Sequence, residues 1–262
     1  MKRGVTGVLF FLLFISMSSL ASANTLEKMF EDANLAFGAG KYQDAIDGYQ
    51  HLENLGVDSA TLFYNRATAE ARLGHLGRAV QYYEKVLVTS PLDENAVYNL
   101  KVIRDYIARR ANQDGRDADL APAAGPWRTI LDRFTVSSAS ITFLLFHLLL
   151  FGVLFARRFF TGEWVRLTLG VTAGIAFVVT VCMGIVVLGK RHQTYYEHEA
   201  VVVSVADDGV RPVYEGPVNA VKRFDLEEGS RVRILENKRG YAKIRDDQGR
   251  DGWVRRETLG VI

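Results

Sequence analysis

The sequence has a single cysteine, Cys182. An intramolecular disulfide is therefore impossible, and a CxxC metal or redox site is excluded. Cys182 lies within the run VVTVCMGIVVL, where apolar surroundings suppress the thiolate. It reads as a small hydrophobe facing lipid or a neighbouring helix. Net charge is also scarce, at +2 over 262 residues, which gives no case for a nucleic-acid binder. The motifs of common catalytic sites are missing: there is no GxSxG, no P-loop, no HExxH and no dinucleotide fingerprint. Asp207-Asp208 and Asp246-Asp247 stand beside glycines and read as turns. His192, Glu197, His198 and Glu199 crowd one short stretch, but no further ligand accompanies them, so they read as a solvated stalk rather than a metal site. No metal and no cofactor is expected, and the chain is read as non-catalytic.

Charge is absent from two long stretches. Ser137–Ala156 carries none over 20 residues, long enough as a helix to cross the ~30 Å hydrocarbon core. Leu167–Leu188 is equally free of charge and rich in small residues, which suit close helix approach in lipid. We expect transmembrane helices over 135–156 and 167–189, joined by a loop at 157–166 and packed as an antiparallel hairpin. His147 sits mid-span, where an ionisable residue is a functional candidate by default. A neutral imidazole hydrogen-bonded to the partner helix is the plainer reading. Upstream, Trp127, Ile130, Leu131 and Phe134 fall at helical spacing, as an interfacial turn or a helical extension of the first span would place them.

Residues 1–23 read as a secretory signal peptide. Lys2 and Arg3 precede the short apolar core Val5–Met17, and Ala21-Ser22-Ala23 fits the cleavage pattern. An uncleaved anchor would export the following chain just as well. Two spans then place both flanking regions outside and the loop LFARRFFTGEWVRL inside. In that loop Arg157, Arg158 and Arg166 outweigh Glu163, as positive-inside placement expects.

Residues 24–110 repeat themselves at a spacing of 34. Ala33 overlays Ala67, Gly40 overlays Gly74, Ala45 overlays Ala79, and Tyr49 overlays Tyr83. This period and residue order are the signature of tetratricopeptide helix pairs. Repeats are expected at about 26–59 and 60–93, with a capping helix over 94–110. Small alanines let paired helices approach, the glycines turn the chain, the tyrosines fill the gap to the next repeat, and Pro91 stops a helix. In tetratricopeptide proteins the first helix of each pair lines a concave groove. By that resemblance Asn34, Tyr64, Asn65, Thr68, Arg72, Tyr98, Asn99 and Asp105 should face it and grip an extended peptide. Residues 111–134 combine a Gly/Pro/Ala/Asp linker with the interfacial segment.

After a short linker at 190–198 the pattern changes to alternating strands at Ala200–Val205, Arg231–Leu235, Tyr241–Arg245 and Gly252–Arg255. The order FDLEEGSRVRILENKRGYAKIRDDQGRDGWVRRETL resembles a bacterial SH3-like domain over 199–262. The resemblance implies a small closed barrel, with Leu226, Val232, Ile234, Ile244 and Val254 in its core and Gly229 at the diverging turn. Tyr214, Tyr241 and Trp253 would line its ligand face, although Trp253 also suits packing beside the core. Ala242, where a larger residue is usual, and the long first loop VRPVYEGP depart from the common pattern.

The fold class is thus multidomain α + β: helical repeats, a two-helix transmembrane hairpin, and an all-β C-terminal domain. This order, with AVYNLKVIRDYI after the second repeat and the terminal DGWV, resembles the BatE proteins of the Bacteroides aerotolerance operons. The resemblance implies a scaffold of the bacterial inner membrane. Its partners would be von Willebrand factor A-type membrane proteins, other repeat proteins of the operon, and a MoxR-type ATPase on the cytoplasmic side. An envelope sensor whose SH3-like domain binds peptidoglycan is the alternative, and a hidden cell-wall hydrolase is a third.

Overall fold

The computed structural model describes residues 24–116, 130–131, 133–196, 198–203, 209–218 and 221–262. The signal-peptide reading and Trp127 lie outside them. The helical region contains α1 (residues 24–38), α2 (Tyr42–Asn54), α3 (Ala60–Arg72), α4 (Leu76–Thr89) and α5 (Glu94–Gln113). Ala33, Ala45, Ala67 and Ala79 are buried between paired helices. The turns inside the pairs use one device twice. Gly40 and Gly74 take φ of +76° and +81°, a region other residues enter only at a cost. The next N–H then folds back, Lys41 to the Ala36 carbonyl at 2.9 Å and His75 to the Glu70 carbonyl at 3.0 Å, satisfying carbonyls the helix end would orphan. Asp93 starts α5 by accepting the Ala96 N–H at 2.9 Å, an ordinary N-cap.

Two apolar helices follow, α6 (Val136–Ala156) and α7 (Glu163–Tyr196). Both are long and apolar enough to cross a membrane. They pack antiparallel: Ala139 lies with Met183 and Val186, and Phe143 lies against Gly184. Leu131 and Phe134, from the expected interfacial turn, pack onto this cluster. Two expectations change. The stretch expected as a linker over 190–198 is helical through Tyr196, so α7 runs almost directly into the sheet. His147 is not hydrogen-bonded to the partner helix through Nδ1, which is buried with no partner among the described residues. Its ring instead lies between Phe143 and Phe151, with centroids 5.6 and 4.9 Å away. Cys182 is exposed on the hairpin's outer surface.

The C-terminal region is a seven-stranded antiparallel sheet in the order β3-β2-β6-β5-β4-β1-β7. Its strands are β1 (His198–Val202), β2 (Val210–Tyr214), β3 (Lys222–Glu227), β4 (Arg231–Lys238), β5 (Tyr241–Asp246), β6 (Asp251–Arg255) and β7 (Leu259–Val261). Leu226, Val232, Ile234, Ile244 and Val254 are buried in one cluster. Ala242 belongs to that cluster too, fully buried opposite Val254. The closed barrel implied by the resemblance is not formed, because β3 and β7 end the sheet without pairing to each other. At the β7 edge the Val261 carbonyl is taken by the Gln81 side-chain amide of α4 at 2.9 Å. A helix thus covers the edge that closure would have used. The segment VRPVY, read as part of an overlong loop, is strand β2.

The sheet and the helices form one packed body. Strand β1 sits between two cores. Ala200 and Val202 point into the sheet cluster, whereas Val201 and Val203 join Val80, Ile103 and Ile107 in the helical cluster. A strand covered on both faces reads as a continuous apolar run, which accounts for AVVV. Polar contacts frame this seam. Glu84 of α4 pairs with Arg104 of α5 and, at 2.5 Å, with Arg231 of β4. Arg116 reaches Glu227 at 3.3 Å. The Gly77 N–H, in the first turn of α4, donates to Glu228 Oε1 at 2.7 Å. His75 makes no side-chain cap for α4, so Glu228 caps this helix from another domain.

The seam leaves no room for a side chain at Gly77. A Cβ there would stand 2.5 Å from the Val202 carbonyl and 2.9 Å from Val203 Cα. Gly77→Ala should therefore have opposite effects on the two parts. It favours the isolated helix by about 1 kcal/mol, yet it forces the sheet away. Hydrogen exchange on the full chain should show β1 amides exchanging roughly tenfold faster or more, with α3 unchanged.

Candidate functional site

Five of the residues expected to line a groove, with Tyr49 and Tyr83, are joined by a hydroxyl–amide ladder. Tyr49 of α2 donates its hydroxyl to Asn34 Oδ1 at 2.7 Å, and Asn65 Nδ2 donates to the same oxygen at 3.0 Å. One repeat later the arrangement recurs. The Thr68 hydroxyl donates to the Tyr64 carbonyl, so its oxygen accepts from the Tyr83 hydroxyl at 2.9 Å. Asn99 Nδ2 then donates to Tyr83 Oη at 3.2 Å and to Tyr64 Oη at 2.9 Å. In the first repeat Asn34 thus joins Tyr49 to Asn65 of the next first helix, and in the second Tyr83 joins Thr68 to Asn99 of the next first helix. The ring packing repeats as well: Phe30 lies against Tyr49 at 6.0 Å between centroids, and Tyr64 against Tyr83 at 5.5 Å.

Of the expected groove residues, Asn34, Tyr64, Asn65, Thr68 and Asn99 are half-buried and held together by this ladder. Arg72, Tyr98 and Asp105 are exposed and lie outside it. The sequence reading assigned Tyr49 and Tyr83 only a gap-filling role and passed over their hydroxyls. The signal was available: both tyrosines stand 16 residues before an asparagine. Burial pushes the Tyr49 hydroxyl up to about 12, against the opposing bond from Asn65. Tyr83 is also raised by burial, against its bonds with Thr68 and Asn99.

A second polar network ties α2, α3 and α4 together. Arg66 binds Glu53 at 2.6 Å and lies over the Tyr82 ring, 4.2 Å from its centroid. Lys85 also reaches Glu53, at 2.7 Å. Burial alone would raise the Glu53 carboxyl, but Lys85, Tyr82 and Arg66 outweigh it and hold the group below its usual range. Glu70, fully buried, takes His75 Nδ1 at 2.8 Å. These groups are consumed by one another and act as structural ties.

On the sheet, Tyr214 of β2 stands opposite Trp253 of β6, and Trp253 stands opposite Lys243 of β5. Tyr241 lies two residues along β5 from Lys243, opposite Arg255. All three aromatic residues are half-buried on one sheet face, so the structure brings the expected ligand-face residues together. Glu197 lies outside the described residues. Glu199 is drawn to Arg231 at 3.6 Å. No group of three or more potential metal ligands occurs among the described residues.

The chain matches no family model. It is 28% identical over 93 residues to the photosystem I assembly protein Ycf3 of Rippkaea orientalis, covering 34% of this chain and 54% of that protein. Over 91 residues it is 28% identical to the Ycf3 protein of Synechococcus elongatus, 34% of this chain and 53% of the relative. The chain spans about half the length of the curated relatives it matches. This distant similarity supports a tetratricopeptide-type repeat region and, with it, a non-catalytic protein-interaction role.

The raised Tyr49 value makes the ladder testable. A hydroxyl that ionises near 10 in the unfolded chain and about 12 in the folded one contributes fully below pH 10. That contribution is lost as pH rises from 10 toward 12, because only the unfolded state then releases the proton. Denaturant unfolding across this window should show stability falling more steeply in the native chain than in Tyr49→Phe.

Proposed function

We propose that this protein is a two-pass membrane adaptor of the bacterial envelope. The helical repeats would take an extended segment of one partner, and the SH3-like sheet would hold a second. The observation that carries the reading is the hydroxyl–amide ladder, repeated at the tetratricopeptide period along the first helices. Asn65 and Asn99 spend amide hydrogens on the ladder and keep side-chain carbonyls for a peptide backbone. Tyr64 and Arg72 offer an aromatic face and a cation beside them, and Tyr98 and Asp105 stand at the open end.

Two apolar helices support the membrane anchor. The hairpin returns the chain to the end from which it entered, so the repeats and the sheet share one side. The export signal read at 1–23 would make that side extracytoplasmic and leave Arg157, Arg158 and Arg166 in the cytoplasm. By resemblance to BatE proteins, the partners are von Willebrand factor A-type membrane proteins within an aerotolerance-type assembly served by a MoxR-type ATPase. The alternative, a peptidoglycan-reading sensor, draws on the paired Tyr214 and Trp253 of the sheet.

Co-purification tests the adaptor. In the full chain, Asn65→Ala combined with Arg72→Glu should release the partners captured by crosslinking in intact membranes. Tyr214→Ala combined with Tyr241→Ala should release a different set. Undiminished capture by the first pair of substitutions, with the protein still folded and in the membrane, would sink the groove reading. Retention of residues 197–262 on isolated sacculi would favour the sensor.

A further inference from the structure

Helix α5 carries an uncovered stripe. Ala96, Leu100, Ile103 and Ile107 bury one face against the other helices and the sheet. On the opposite face Tyr98 is 67% exposed, Val102 44% and Tyr106 53%. These three follow at intervals of four, so they form one line along the helix. In a continuing repeat array a second helix would follow α5 and the stack would go on. Here the chain leaves for the hairpin, and the sheet side packs with Val80, Ile103 and Ile107 on the buried face. An aligned row of exposed aromatic and aliphatic side chains of this kind is suited to an interaction site.

The charges beside the stripe say what covers it. Glu94, Lys101, Asp105 and Arg109 are all exposed, and none forms an ion pair among the described residues. Lys101 and Asp105 are one turn apart on the same helix, yet they remain separate. Now turn a second α5 antiparallel about Val102. Tyr98 meets the partner copy's Tyr106, and Tyr106 meets its Tyr98. Lys101 falls within two residues of the opposing Asp105, about 3 Å along the axis. Glu94 falls beside the opposing Arg109. Each of these four charges finds its opposite, and the apolar line finds itself. A surface complementary to its own two-fold image is what an isologous contact requires. We infer that two copies of this protein associate through α5, antiparallel and centred on Val102.

This goes beyond the adaptor reading. It transfers Tyr98 and Asp105 from the groove's open end to a joint between copies and leaves the ladder residues as the peptide site. The aromatic and aliphatic centre supplies the attraction. The rim charges set orientation and exclude other registers, since such pairs add specificity more than affinity.

The test uses the full chain with Cys182→Ser, so that an introduced cysteine is alone. Val102→Cys, oxidised in intact cells, should give a disulfide-linked product of twice the monomer mass, because position 102 meets its own copy on the axis. Leu35→Cys, exposed on α1, should give little. Lys101→Glu in the Val102→Cys chain should lower the linked fraction about threefold or more, since two symmetric pairs are lost. Adding Asp105→Lys to it should restore the product. Both positions are surface-exposed, so neither change threatens folding. Absence of the dimer, equal linking at 35 and 102, or failure of the double reversal to restore it would overturn the inference. So would a linked product with the mass of a different protein.

Discussion

Strand β1 is the hinge of the structure in the literal sense of being shared. Its alternate side chains enter two hydrophobic cores, Ala200 and Val202 into the sheet, Val201 and Val203 into the helices. Neither core is complete without it. Because β1 begins two residues after α7 ends, the strand also fixes where the hairpin must deliver the chain. The N-terminal repeats and the C-terminal sheet therefore occupy the same side of α6 and α7, whichever side that is. Topology here follows from burial: a strand with two apolar faces has to find cover on both.

The same seam solves a problem of repeat architecture. A stack of helix pairs ends in exposed apolar surface unless something terminates it. Most of that work falls to the sheet, which covers Val80 and Ile107 and lends Glu228 to the uncapped start of α4. Burial raises the Glu228 carboxyl, opposed by the Gly77 N–H, Arg110 and His75. Desolvation wins, so the buried carboxylate is held at some cost, and the seam is tightest when that cost is met by all three neighbours. Glu84 works alongside it, joining arginines from a helix and from a strand. The termination is partial, and what remains uncovered is the outer face of α5.

Legibility in the sequence tracked the range of the interactions. The repeats were readable because their causes are local: Gly40 and Gly74 turn the chain within six residues, and the alanines recur at fixed spacing. The hairpin was readable from two charge-free stretches. The sheet was read less well. Its core residues alternate as strands should, but β2 hid inside a supposed loop because Pro212 and Gly216 carry turn signals. The closed barrel failed for a nonlocal reason, since nothing near Val261 announces that Gln81 will take its carbonyl. Gly77 and Gly260 are required by close contacts with residues far away in the chain, and no periodicity marks them. For the candidate site, the Asn34, Asn65, Thr68 and Asn99 positions came from the repeat, while the tyrosine hydroxyls that bind them together were legible only as spacing.

Two kinds of polar group are therefore present in the repeats, and the difference bears on function. Arg66 is paired with Glu53 and His75 with Glu70, while Arg66 Nε and Glu70 Oε1 face each other at 3.9 Å without a hydrogen bond. Removing one would leave a buried charge alone, which is costly, and so they are best understood as ties between helices. The ladder residues are also bonded: Asn34 spends its side-chain oxygen on Tyr49 and Asn65, whereas Asn65 and Asn99 have spent only donors and keep an acceptor. On the proposed adaptor reading, a floor internally bonded in this way, with the Asn65 and Asn99 acceptors unspent, would meet a peptide backbone without ordering itself first. On that reading the repeat would do two jobs with one set of side chains, because the bonds that hold the first helices in register also orient Asn65, through Asn34, and Asn99, through Tyr64 and Tyr83.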